Sequence, residues 1–140
     1  MKKQCSTLIL LFVCHFLYAQ KAEPIGSFAT TPQTMLWYQQ QVKAWEKEIL
    51  KDEKNENAWH NLFKAQRLIT NHDTTDKRVG KERMVEMQAI LDRMQEAIPN
   101  TYTINYCNWV FHGNDMNYYS FLEKAVAINP QRPDHIDYMI

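Results

Sequence analysis

The sequence predicts an all-α protein built from antiparallel helix pairs. Three observations predict it. Apolar residues recur at spacings of three and four in five successive segments up to Ile128. Polar or proline-containing turn signals separate those segments. No strand pattern competes: Tyr102–Tyr106 alternates, but it is short, lacks a partner strand and sits between a proline turn and a helix-compatible aromatic spacing.

The first nineteen residues read as a targeting signal. Lys2 and Lys3 give a positive start, Leu8–Leu17 is almost entirely apolar, and Ala19 before Gln20 is the expected cleavage point. The apolar run is about ten residues, whereas a membrane-spanning helix needs roughly 20. A cleaved export signal is expected, which places the mature chain in the periplasm or outside the cell, with no transmembrane span. The alternative is a lipoprotein anchored at Cys14, although Val13 stands where a small residue would be expected. Cleavage leaves 121 of the 140 residues, one domain's worth, with 14 basic and 16 acidic side chains. This near-balance gives no electrostatic footprint for nucleic acid. Cys107 is then the one remaining cysteine, so no intramolecular disulfide is expected.

Residues 20–31 form an irregular lead-in punctuated by Pro24 and Gly26. Residues 32–140 form the helical domain. The first helix is expected over Pro32–Lys51, with Thr31 as N-cap and Met35, Tyr38, Val42, Trp45 and Ile49 on its apolar face. The wholly polar Lys51–Asn57 stretch turns the chain. A second helix runs from Asn57 to Thr70, with Ala58, Leu62, Ala65 and Ile69 aligned. Polar Asn71–Gly80 is a loop. The third helix, Lys81–Ile98, carries Met84, Met87, Ile90, Leu91, Met94 and Ile98, a stripe that is either core or an adaptable binding surface. Ile98–Thr101 is a turn, Thr101–His112 an aromatic-dense fourth helix, and Gly113-Asn114-Asp115 a break before a fifth helix, Asp115–Ile128. After Asn129–Pro133 a sixth helix is expected to begin and run to Ile140.

The stretch Trp45–Gln66 resembles the junction of two tetratricopeptide (TPR) repeats. Trp45 takes the large aromatic of one repeat's second helix, Asp52 the turn acid, Trp59 the aromatic of the next repeat's first helix, and Leu62 the apolar residue three later. Leu122-Glu123-Lys124-Ala125 followed by Ile128-Asn129-Pro130 resembles the end of a second helix. Glu53 departs from the family's proline. Glu53, Pro99 and Pro130 are 46 and 31 residues apart, against a family period of about 34. The resemblance implies a short TPR-like α-solenoid that mediates protein–protein interactions. It also implies that a sixth helix would lack its partner, so the natural chain continues or its apolar end docks elsewhere. A generic helical bundle remains the alternative architecture, and a helical accessory domain of an envelope enzyme or lipoprotein complex the alternative role.

No catalytic residue, cofactor or metal site is expected. His60, His72, His112 and His135 include no pair at metal-ligand spacing, and no Cys-x-x-Cys occurs. His72-Asp73 reads as solvated loop. Cys107 and His112, five apart on one helix, fall on different faces. Three glycines build no phosphate loop. What remains is a surface. The resemblance makes Asn57, His60, Lys64 and Arg67 a partner-binding groove suited to carboxylates or acidic peptide segments, because spacings of three, four and three put these donors on one side. The same stripe also reads, and reads better, as the solvated side of an amphipathic helix.

Overall fold

The structure, a computed structural model, describes residues 20–26, 31–113 and 115–132. The expected targeting segment and sixth helix lie outside the described residues. Those described residues contain five α-helices and two 3-10 turns, with no strand among them.

Helix α1 spans Met35–Lys51 and begins three residues later than Pro32 suggests. The reason is the cap. Thr34, not Thr31, turns its hydroxyl onto the Trp37 N–H at 3.1 Å and satisfies one of the otherwise unpaired first-turn donors. Helix α2, Glu56–His72, starts the same way, with Asn55 accepting from the Ala58 N–H at 3.1 Å. Asp52 accepts from the Lys54 N–H at 3.0 Å and tightens the turn between them. So short a link folds α2 back along α1, and this pair has the most extensive contact among the described helices.

The third helix begins later than its apolar spacing implies. Gly80, at φ +54°, opens a 3-10 turn to Met84, and α3 proper runs Val85–Ala97. The Arg83 guanidinium explains why this turn is held apart. It donates to the main-chain carbonyls of Thr70 at 2.5 Å and Asp73 at 2.6 Å, capping the end of α2. Helix α4 covers Tyr102–His112, capped by the Thr101 hydroxyl and ended by Gly113 at φ +68°. A 3-10 turn, Met116–Tyr118, leads into α5, Tyr119–Ile128.

Helices α1 and α2 form one close pair and α4 and α5 another. Helix α3 touches both α2 and α4, and α2 also meets α4 directly, an arrangement compatible with stacked helical repeats. One apolar core runs through all five helices. Met87 and Met94 are fully buried in it, so the methionine stripe is core. Trp45 and Trp59 anchor the first pair, and each satisfies its indole N–H on a carbonyl: Glu23 at 3.0 Å and Glu53 at 2.9 Å. Arg93 on α3 grips Glu46 on α1 through two bonds of 2.7 and 2.8 Å while its guanidinium lies 5.0 Å over the Trp59 ring.

Candidate functional site

The four groove residues do share one side of α2, but they meet different surroundings. Asn57 is exposed, and its carbonyl and side-chain oxygens accept from Asn61 at 2.8 and 3.1 Å. His60 is 4% exposed, edge-on to the Tyr106 ring, with Nδ1 3.2 Å from the Arg132 guanidinium. Lys64 is half-buried. Arg67 donates to the Val110 carbonyl of α4. The stripe is therefore neither an open groove nor a solvated face at His60 and Arg67. At those two positions it forms a seam with α4, through the Tyr106 ring and the Val110 carbonyl. Helical spacing assigned the common side; it could not tell that a second helix lies against it.

That seam is polar along much of its length. Glu56 accepts from the Thr103 N–H at 3.3 Å, where its charge also complements the positive end of α4. Arg132 lies 4.6 Å over the Tyr102 ring and donates to the Thr103 hydroxyl at 3.3 Å. These contacts fix α4 against α2 and bring the end of the described chain back to the seam.

Where α2 and α4 end, the seam widens into a cleft of about 900 Å³. Its walls are Thr70 and Asn71 from α2, Lys81, Arg83 and Met84 of the 3-10 turn, Val85 of α3, and Phe111 and His112 from α4, with Tyr118 closing one side. Local sequence builds this wall. Gly113 breaks α4, Asp115 caps the following turn by accepting from the Asn117 N–H at 2.9 Å, and Tyr118 then lies flat on His112 with ring centroids 3.6 Å apart. Phe121 extends the stack. Burial among these rings holds the His112 imidazole below its ordinary pKa, opposed by the Asp115 charge. Val85 at the rim is 57% exposed, and Lys81 places a cation beside it.

A third polar constellation involves the lead-in. Residues 20–26 run without helix, turn or bend across α1 and α2. Gln41, fully buried, accepts from the Glu23 N–H at 2.8 Å and donates to the Lys21 carbonyl at 3.3 Å. Asn61, 5% exposed, accepts from the Ile25 N–H at 2.7 Å. Ile25 is buried against Tyr38, Ala65 and Leu68. Sequence reasoning read this segment as merely irregular. A signal was present: Gln41 lies three residues after Tyr38 and four before Trp45, which puts an amide on the buried stripe of α1.

No group of three or more metal-ligating side chains occurs among the described residues. Cys107 is completely buried within α4. His72 is exposed, and the adjacent Asp73 accepts from the Thr75 N–H and hydroxyl at 2.8 and 2.6 Å, which lowers its pKa. None of the described helices is long and apolar enough to cross a membrane. No protein family, curated protein or solved structure matches the chain.

Proposed function

We propose that this protein is an exported, TPR-like scaffold that binds segments of partner proteins. The observation that carries the reading is the cleft at the ends of α2 and α4. It combines exposed aliphatic surface at Val85, the half-buried Phe111 and Tyr118 rings, and the Lys81 cation. A partner segment with an apolar side chain next to a carboxylate fits that combination: rings and aliphatic surface take the apolar group, and the ammonium takes the charge. The paired helices supply a rigid frame, and the chemistry on offer is recognition.

The test is recovery of partners from the native envelope with tagged wild-type protein and with the double variant Val85→Glu, Tyr118→Ala. The partner should be recovered with the wild type and reduced about tenfold with the variant, since a lost hot-spot aromatic typically costs 1.4 kcal/mol or more. Equal recovery by a variant of unchanged helical circular dichroism overturns the cleft as the binding surface.

A further inference from the structure

Helical proteins seal their cores with apolar contacts, and burying an amide without a partner is costly. Helices α1 and α2 nevertheless bury the side-chain amides of Gln41 and Asn61 on one shared surface, with the Trp45 indole N–H beside them. Their partners on residues 20–26 are main-chain groups: the carbonyls of Lys21 and Glu23 and the N–H groups of Glu23 and Ile25. A set of fixed side-chain donors and acceptors that pairs with a main chain reads peptide backbone, whatever side chains that backbone carries.

The arm's own side chains define the rest of the recognition. Lys21, Glu23, Pro24 and Gly26 are exposed; Ala22 and Ile25 face the helices. The bonded groups belong to Lys21, Glu23 and Ile25, so every second residue of the arm turns main-chain polar groups to the helices. Pro24 falls at an unbonded position, so its missing N–H costs nothing, and its restricted φ narrows the conformations open to the free arm. Only one large side chain, Ile25, is buried, so the arm is held mainly by the clamp.

We propose that the α1–α2 clamp is a peptide-binding site which residues 20–26 fill in cis. In trans it takes an extended segment of a partner protein with a small residue, a proline two positions later, and a branched aliphatic residue directly after the proline. This inference shares with the scaffold reading only the ligand class. It uses a different surface from the cleft, so the two fail separately. A short tether gives the arm an effective concentration on the order of millimolar, so an outside segment must bind better than the arm or meet the clamp with the arm released.

The test uses a fluorescent peptide with the sequence of residues 20–26 and the purified protein carrying Ile25→Asp, which expels the arm while leaving the clamp intact. This variant should bind the peptide at least tenfold more tightly than wild type does, and adding Gln41→Leu should remove that gain. Val85→Glu, Tyr118→Ala should leave it unchanged. A helical Ile25→Asp variant that binds no peptide overturns the proposal, as does binding indifferent to Gln41→Leu. A wild-type dimer lost in Ile25→Asp assigns the clamp to a second copy of the chain and also overturns it. Should Ile25→Asp fail to fold, hydrogen exchange of the wild type decides. Glu23 and Ile25 amides exchanging at least a hundredfold faster than the Leu62 amide show an arm that leaves while the helices stay folded. Equal protection shows a permanent part of the core and overturns the proposal.

Discussion

The α1–α2 pair and the α4–α5 pair share a plan and differ in how they are closed. Both helices of the first pair are 17 residues long and side-chain-capped, and the indole N–H groups of Trp45 and Trp59 reach carbonyls. In the second pair the helices have 11 and 10 residues, α5 has no side-chain cap, and only Leu122 and Ala125 of α5 are buried. Trp109 is 7% exposed, and its indole N–H is buried with no hydrogen-bond partner among the described residues. The first pair closes around two bonded core indoles; the second packs its rings in stacks and leaves the Trp109 indole N–H unbonded. The less tightly closed parts of a fold open more readily, and the shorter helices of the α4–α5 pair mark that end here.

The largest effect that would break this comparison is at Trp45. Trp45→Ala should destabilise the protein by about 3–5 kcal/mol in urea unfolding, because it empties an inter-helix core position. A melting temperature unchanged from wild type would remove Trp45 from its role as the anchor of the first pair.

A sharper contrast keeps the ring and removes only the donor and some volume. Trp45→Phe leaves the Glu23 carbonyl without its bond and should cost about 1–3 kcal/mol. Trp109→Phe removes an N–H that has no partner to lose and should cost less, about 1 kcal/mol or below, the volume loss being offset by relief of the buried donor. If both cost the same by urea unfolding, the indole pairing does not distinguish the two regions.

The smallest effect is in pH. The folded-state pKa of His112 lies below its ordinary value because it is buried among rings. The unfolded chain therefore binds the proton more readily, so this residue's contribution is complete above about pH 6.5 and is lost as pH falls from there toward the folded pKa. Melting temperatures of wild type and His112→Gln, compared from pH 7.5 to 5, should converge on the acid side. Parallel curves would mean that the stack leaves the imidazole unaffected.

The residues explain which of these features could be read without the structure. The all-α class was legible because Tyr38, Trp45 and Ile49, or Leu62 and Ala65, can share a buried side only in a helix. The start of α1 was displaced because Thr31 before Pro32 reads as the cap, whereas the Trp37 N–H bonds the Thr34 hydroxyl. The turns at Gly80–Met84 and Met116–Tyr118 were hidden because 3-10 and α-helical spacing place apolar residues alike over so few positions. The stripe Asn57, His60, Lys64, Arg67 was legible as a common side, but not as a seam, since its neighbour comes from the far end of the chain. The cleft was illegible for the same reason: Thr70, Val85 and Tyr118 meet only through tertiary packing.

Cys107 gives the molecule a clock. Its thiol is fully covered in the folded chain and sits on α4, in the less tightly closed pair. A thiol reagent reaches the sulfur only when that helix departs, so the rate of alkylation counts opening events rather than collisions. In an oxidising compartment the same geometry sorts molecules by their history. Folded chains keep a reduced thiol; in an opened chain the Cys107 thiolate can attack a small-molecule disulfide, keep one half as a mixed disulfide and release the other half as a thiol.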